Sequence, residues 1–337
     1  MKRDHTTSLQ SKTKHSRNIQ RLRDCAKVAL QDCLEFKSED RLTIVTDAAV
    51  KELLPRILFD TARQIGNRVV LFVTCDSDLI SGDPPLMDLL KASDIIIVCT
   101  SKHIPLKARE EITRAGRRIL LMHTLSDKVA IRTIPVDYGR IKAALDDVAT
   151  ALYECANLYL TSPKGTDLRF SCKGRPILKF DGLCTDAGEF ESLPAGWVRS
   201  APLEGMAEGT IVIDGAGYHT GVIRNPIKLT IHRGVVTTVS GGEEAGRLRK
   251  LIEDGGENSG NLAEFGIGAN PQARVGPIPI ETERSAGSAS FGLGRNTQNG
   301  GTVNSKVHLD IGVSTKVNLK ADCKLLIEKG RIKKILN

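Results

Sequence analysis

Asp94-Ile95-Ile96-Ile97-Val98-Cys99-Thr100 is a nearly continuous apolar stretch with the length of one β-strand. An apolar run without alternation is typical of a strand buried on both faces, as in a parallel sheet covered by helices. Other strand-like segments lie before and after it, separated by segments with helical spacing. They are residues 41–47, 68–74 and 118–123. This alternation predicts an α/β domain with a mostly parallel sheet flanked by helices.

The second half of the chain has a different pattern. From about residue 157, short segments of alternating polarity are separated by glycine, proline and aspartate, which is typical of antiparallel strands. The sequence therefore predicts a second α+β domain rich in antiparallel strands. We expect a disordered basic tail over residues 1–18, the α/β domain over 19–156, and a β-rich domain over 157–337 that carries a metal site.

The composition argues against several classes of protein. The net charge is +8, but much of it lies near the N-terminus, and only 4% of the residues are aromatic. Because base stacking needs aromatic side chains, no nucleic-acid partner is expected. No apolar run approaches the roughly 20 residues that span a bilayer, and the polar start lacks the apolar centre of a signal peptide. We expect a cytoplasmic protein without a membrane partner.

Two common nucleotide-binding motifs are missing from the sequence. The first predicted strand ends at Asp47 and continues into Ala48 and Ala49, where a dinucleotide-binding protein has a glycine-rich turn. No P-loop pattern occurs either. Nucleotide binding of these two kinds therefore loses its main support.

The stretch 301–312 places a histidine and an aspartate two residues apart in a predicted strand. Residues i and i+2 of a strand lie on the same face. The imidazole of His308 and the carboxylate of Asp310 are therefore expected side by side, as a metal-ligand or acid/base pair. The alternative is a half-buried structural histidine with Asp310 capping the strand end.

Glu264 is the one carboxylate in the apolar, glycine-rich segment 261–271. A buried carboxylate is costly unless it is paired or bound to a metal, so Glu264 is a candidate third ligand beside His308 and Asp310. A role in capping a turn is the alternative. One imidazole with two carboxylates suits zinc, manganese or ferrous iron.

Two further segments are candidates for contact with a substrate. The small-residue strand 287–294 contains Ser290, and its glycines allow backbone or a ligand to approach closely. The polar stretch 161–170 contains Thr166 and Asp167, and it is either a substrate loop or an ordinary turn.

Seven segments in a fixed order resemble the aminopeptidase T/aminopeptidase S family of metallopeptidases. The resemblance covers nearly the whole chain from about residue 20. It implies that Glu264, His308 and Asp310 are metal ligands, that relatives use two metal ions for peptide hydrolysis, and that the protein is a homodimer. The segments are 165–168, 193–196, 209–214, 241–245, 264–271, 287–294 and 308–310.

Two positions depart from the pattern of that family. Trp197 stands where the family's Pro-x-Gly-Glu motif has a ligand glutamate, and Ser290 stands where the family has a ligand histidine. The remaining ligands would hold a single divalent ion of zinc, manganese or iron. The same fold family includes mononuclear ferrous enzymes similar to the dihydroxypyridine ring-cleaving dioxygenase, which carry a histidine where this chain has Glu264.

The leading functional prediction is a single-metal hydrolase that cleaves a peptide or a small amide. The alternative is a mononuclear iron dioxygenase that cleaves an aromatic ring, and a third possibility is a non-catalytic binding protein on the same fold. The predicted catalytic residues are Glu264, His308, Asp310 and Ser290, and the predicted substrate-binding residues are Trp197, Thr166 and Asp167.

Overall fold

The computed structural model describes residues 4–76, 80 and 83–333, without the side chains of residues 4–15. Contacts divide the chain into two compact units, residues 1–136 with 182–194, and residues 137–181 with 195–337. The predicted boundary was a single point near residue 156. The observed division differs because the helix at 138–154 packs on a strand of the second unit, whereas residues 190–192 add a strand to the sheet of the first.

The first unit contains a parallel sheet flanked by helices. Its strands are β1 (Leu42–Asp47), β2 (Val69–Thr74), β3 (Ile95–Cys99), β4 (Arg118–Leu121) and β8 (Phe190–Ser192). Within the described residues these strands pair in parallel in the order β2-β1-β3-β4-β8. Every residue of β3 is buried, which explains the absence of alternation in its sequence.

The helices of the first unit begin with a long N-terminal helix. That helix starts at Asp4, whereas the sequence predicted a disordered tail up to residue 18; residues 1–3 and the side chains of residues 4–15 lie outside the described part. The helices are α1 (Asp4–Lys27), continued by a π-helical stretch (Val28–Cys33), α2 (Leu54–Ala62), α3 (Pro84–Ala92), α4 (Leu106–Arg114) and α5 (Asp127–Thr133).

The second unit is built mainly from antiparallel strands, with helices α6 (Tyr138–Glu154), α7 (Glu243–Gly255) and α8 (Pro279–Arg284). In the described chain, one of its sheets has eight strands in the order β12-β11-β10-β6-β5-β16-β17-β18. These strands are β5 (Leu158–Thr161), β6 (Asp167–Phe170), β10 (Glu208–Ile213), β11 (Ile227–His232), β12 (Val235–Ser240), β16 (Asn318–Ala321), β17 (Lys324–Glu328) and β18 (Arg331–Ile332).

A second antiparallel sheet of this unit carries the predicted metal ligands. Its strands are β7 (Leu178–Phe180), β9 (Trp197–Ser200), β13 (Leu262–Gly268), β14 (Ala289–Gly294) and β15 (His308–Ser314). Among the described residues their order is β15-β14-β13-β9-β7. The predicted fold class, a parallel sheet flanked by helices followed by an antiparallel α+β domain, is confirmed. No helix in the described part of the chain is both long and apolar enough to cross a membrane.

Candidate metal centre

Three adjacent strands bring Glu264, His308 and Asp310 together. Glu264 lies opposite Gly292 across the β13–β14 pair, and Gly292 lies opposite Asp310 across the β14–β15 pair. One ligand atom from each of the three side chains lies within 4.8 Å of the others. The period of two along a strand therefore places His308 and Asp310 on one face, as the sequence predicted, and strand register adds Glu264.

His308 lies at the centre of this group. Its Nε2 atom is 3.4 Å from Oδ1 of Asp310 and 3.7 Å from Oε2 of Glu264. Its Nδ1 atom is 2.7 Å from the carbonyl oxygen of Arg295, so Nδ1 donates a hydrogen bond to that carbonyl. Nε2 is buried and has no hydrogen-bond partner within the described residues. A buried nitrogen oriented towards two carboxylates in this way is suited to bind a cation.

The two carboxylates change the proton affinity of the imidazole. Burial alone would lower the pKa of His308, but Asp310 and Glu264 outweigh it and raise that pKa to about 9. Burial opposes the ionisation of Asp310, yet His308, His219 and Arg199 hold its pKa below the usual range. Without a metal, the group therefore holds a proton on His308 between two carboxylates at neutral pH.

Gly292 keeps the space between the three donors open. A Cβ atom at this position would lie 3.0 Å from Cβ of Glu264 and 3.3 Å from Cε1 of His308. Any larger residue would therefore press against two of the candidate ligands. The open space, the unpartnered Nε2 and the mixed nitrogen and oxygen donors fit a single divalent ion such as ferrous iron, zinc or manganese.

Glu264 is held by two residues that the sequence did not predict. Its Oε2 atom accepts hydrogen bonds from Nη1 of Arg199 at 2.5 Å and from Nδ2 of Asn299 at 2.9 Å. Glu264 is only 1% exposed, so these contacts are what make a buried carboxylate tolerable. Partners of this kind commonly orient carboxylates that ligate metals.

Trp197 and Ser290 lie on the same face of the sheet. Nε1 of Trp197 donates a 3.0 Å hydrogen bond to Oγ of Ser290. A Cβ atom on Gly266 would come within 2.5 Å of that Nε1 and 2.6 Å of that Oγ, so the glycine is needed for this contact. The Trp197 ring stacks on Phe180 at 5.4 Å between centroids. Trp197 and Ser290, the two positions that depart from the aminopeptidase T/aminopeptidase S pattern, therefore contact each other.

A buried ion pair lies beside Trp197 and was also missed by the sequence analysis. Nη1 of Arg284 is 3.0 Å from Oε2 of Glu283, and the guanidinium lies 4.2 Å from the Trp197 ring centroid. Burial raises the pKa of Glu283 to about 8, with Arg284 opposing and the charges of Asp310 and Glu264 adding to the rise. Glu283 and Arg284 are adjacent at the end of the short helix α8, and no sequence motif marks them.

Thr166 and Asp167 are not brought to this group. The Thr166 hydroxyl is 2.8 Å from Oγ of Ser314, four residues beyond Asp310 on β15 and hence about 13 Å along the strand. Asp167 is exposed and accepts a hydrogen bond from the Tyr159 hydroxyl at 3.0 Å. Their role in substrate binding stays a prediction.

Known proteins resemble the chain along most of its length. The family model for 2,5-dihydroxypyridine 5,6-dioxygenase matches residues 35–334. The 2,5-dihydroxypyridine 5,6-dioxygenase of Pseudomonas putida KT2440 is 27% identical over 270 residues, which cover 75% of this chain and 74% of that protein.

Solved structures support the fold. A 2,5-dihydroxypyridine dioxygenase from Pseudomonas putida KT2440 superposes with a TM-score of 0.78 and 20% identity, covering 94% of this chain and 97% of that one. Wild-type AmpT from Thermus thermophilus superposes with a TM-score of 0.68 and 16% identity, covering 93% and 99%. The likeness to aminopeptidase T thus holds at the level of the fold.

These findings correct the leading functional prediction. The prediction of an aminopeptidase-like hydrolase of peptides or small amides is wrong, because the matching family model and the relative are both 2,5-dihydroxypyridine 5,6-dioxygenases. The glycine-rich strands and the His-x-Asp pair occur in a fold that both kinds of protein share, so they did not distinguish the reactions. The alternative prediction of a dioxygenase is the one supported. The predicted homodimer and the cytoplasmic location stay predictions.

Proposed function

Because the chain belongs to the 2,5-dihydroxypyridine 5,6-dioxygenase family, we propose that it is a mononuclear iron(II) dioxygenase that cleaves a dihydroxylated aromatic ring. Glu264, His308 and Asp310 would hold the ion. The observation that carries this assignment is the buried Nε2 of His308, which lies between two carboxylates next to the space left open by Gly292.

The ion and the protein have separate tasks. A ferrous ion held by these three side chains would supply redox chemistry with dioxygen. The carbonyl of Arg295 keeps the proton of His308 on Nδ1, so that Nε2 is available as a ligand. Arg199 and Asn299 fix the Glu264 carboxylate.

The donor set has one more carboxylate than the resemblance suggests. The resemblance implies a histidine at the position of Glu264 in the similar dioxygenases, whereas the site of this chain contains one imidazole and two carboxylates. The guanidinium of Arg199, 2.5 Å from Glu264, offsets the added negative charge. We propose that Arg199 keeps the total charge of the site suited to a divalent ion, although the site contains two carboxylates.

The aromatic pair beside the ligands suits a planar substrate. Trp197 and Phe180 stack on each other, and the Arg284 guanidinium lies over the Trp197 ring. A substrate ring would therefore meet an edge of this pair, a contact that aromatic rings favour. Ser290 accepts its hydrogen bond from Trp197, which leaves its own hydroxyl hydrogen available as a donor. We propose that Trp197 and Ser290 contact the substrate ring.

Anaerobic loading with iron(II), followed by metal analysis and oxygen-uptake measurements, tests the proposal. The loaded protein is expected to bind one iron per chain and to consume oxygen with 2,5-dihydroxypyridine while the ring absorbance disappears. His308→Ala should lose both iron and oxygen uptake. His232→Ala is the matched control, because His232 is an exposed histidine of the same unit whose side chain contacts the exposed Glu208.

Two outcomes would contradict the assignment. One is a His308→Ala variant that retains iron. The other is a loaded wild-type protein that consumes no oxygen with any of a panel of dihydroxylated pyridines and benzenes.

A further inference from the structure

A second histidine is hydrogen-bonded to the backbone of one of the candidate ligands. Strand β15 is an outer strand of its sheet in the described chain, so backbone groups that face away from β14 need another partner. For Asp310 that partner is His219. The Asp310 N–H donates to Nδ1 of His219 at 2.9 Å, and the His219 N–H donates to the Asp310 carbonyl at 3.1 Å.

The turn that carries His219 is fixed closely against β15. A Cβ atom on Gly217 would lie 2.4 Å from the backbone nitrogen of Gly312, so only glycine permits this approach. Gly217 and Gly221 exchange two backbone hydrogen bonds, of 3.2 and 2.8 Å. The Thr220 hydroxyl donates to the carbonyl of Ile311 at 3.0 Å. His219 is therefore held in one place beside Asp310.

The bond to Asp310 also fixes which ring nitrogen carries a proton. A backbone N–H can only donate, so Nδ1 of His219 must be the acceptor. The neutral ring then carries its hydrogen on Nε2. Because His219 is exposed, its Nε2–H donor is presented to solvent next to a metal ligand.

The exposure of the three candidate ligands indicates where the site opens. The side chains of Glu264, His308 and Asp310 are 2%, 12% and 30% exposed. Solvent therefore reaches this group mainly at Asp310, the residue whose backbone His219 bonds. The nearest cationic donors are committed elsewhere, Arg199 to Glu264 and Arg284 to Glu283.

We propose that His219 is a substrate-binding residue of this centre. Its Nε2–H would donate a hydrogen bond to one of the two hydroxyl oxygens of the dihydroxylated substrate. The inference rests on the proposed dioxygenase function and adds a contact that orients the ring at the entrance. It requires no change of protonation at His219.

Two substitutions separate the two nitrogens of this ring. In His219→Asn, the amide oxygen can replace Nδ1 as acceptor for the Asp310 N–H, but the distal donor is lost. In His219→Gln, the amide nitrogen can replace Nε2 as donor, but the acceptor for Asp310 is lost. Binding of 2,5-dihydroxypyridine to the iron(II)-loaded proteins is measured without oxygen, from the change in ring absorbance, together with iron content and thermal unfolding.

We expect His219→Asn to keep wild-type iron content and thermal stability while its Kd for the ring rises about tenfold, the effect of losing one hydrogen bond. His219→Gln should keep a Kd closer to that of the wild type but hold iron less firmly. In turnover, His219→Asn should raise KM more than it lowers kcat.

Three results would overturn the inference, and they are distinguishable. Unchanged ring affinity in His219→Asn would exclude the contact while leaving the dioxygenase assignment intact. Loss of iron in His219→Asn would show that His219 acts only by holding Asp310. Failure of the iron-loaded wild-type protein to bind 2,5-dihydroxypyridine would remove the proposed function for this ring, and the inference with it.

Discussion

The two faces of the β15-β14-β13-β9-β7 sheet differ in almost every physical respect, although their residues alternate along the same strands. On one face, Phe265 and Phe291 are buried, with ring centroids 5.9 Å apart, and Phe170 packs on Phe265 at 4.6 Å. On the other face, Glu264 and Gly292 belong to the candidate metal centre. Neighbouring residues of one strand thus serve different tasks.

The comparison shows how a rigid site is made from small residues. The apolar face gains stability from large side chains that fill space. The opposite face uses Gly266 and Gly292 to leave space in which the side chains of adjacent strands meet. Substitutions on the two faces should therefore have separable effects, on stability for one face and on metal binding for the other.

Phe265→Ala should have the largest effect and should be confined to stability. Truncation of a fully buried phenylalanine is expected to lower the free energy of unfolding by about 3–5 kcal/mol. Denaturant unfolding measures this loss. The fraction that remains folded should bind iron with wild-type stoichiometry, and a loss of iron from folded protein would mean that the two faces are not independent.

The polar face should make the stability of the metal-free protein depend on pH. The folded pKa of His308, about 9, lies above the ordinary value of about 6.5, so the protonated ring stabilises the folded state below about pH 6.5. This contribution, up to about 3 kcal/mol, is lost as the pH rises to 9. Unfolding of wild-type and His308→Gln proteins at pH 6 and pH 9 isolates it. An equal change in both proteins would show that His308 carries no such shift.

Gly292→Ala should weaken iron binding while leaving the fold intact. The added Cβ would lie 3.0 Å from Cβ of Glu264, so the ligand must move. We expect a loss of 10- to 100-fold in iron affinity, or about 1.4–2.8 kcal/mol, measured by competition with a chelator. Gly260→Ala is the control, because its Cβ would meet nothing closer than 3.6 Å.

Trp197→Phe should have the smallest effect. It keeps an aromatic ring beside Phe180 and removes the hydrogen bond to Ser290, which costs about 1 kcal/mol. The expected result is a small loss of stability in denaturant unfolding, with unchanged iron content and a changed KM for the ring substrate. An unchanged KM would argue against a contact between this region and the substrate.

Local patterns in the sequence were sufficient to predict the parallel sheet and to single out the three candidate ligands that the fold brings together. The unbroken apolar run of β3 indicated burial on both faces, and the spacing of His308 and Asp310 indicated a shared face. Glu264 was found because a carboxylate in an apolar segment needs a partner. Each of these signals is carried by neighbouring residues.

The remaining parts of the site depend on contacts that no local pattern encodes. Arg199 reaches Glu264 across 65 residues through the register of β9 on β13, and Asn299 lies in a short 3₁₀ turn. One feature of the sequence does point to Arg199: it lies two residues from Trp197 on the same strand, so both side chains lie on one face. The contact of His219 with Asp310 depends on the free side of β15. The leading reaction class was wrong, and the dioxygenase stood only as the alternative, because the shared segments specify the fold.

The pairing of Glu264 with Arg199 has a consequence for the protein when its candidate metal site is empty. Ferrous enzymes lose their iron through oxidation or chelation, and a cluster of bare carboxylates would then repel itself. In this protein Arg199 pairs with Glu264, and the raised pKa of His308 favours a positive charge beside Asp310. The emptied protein is therefore expected to stay folded and to recover when ferrous iron returns, so that inactivation by iron loss is reversible.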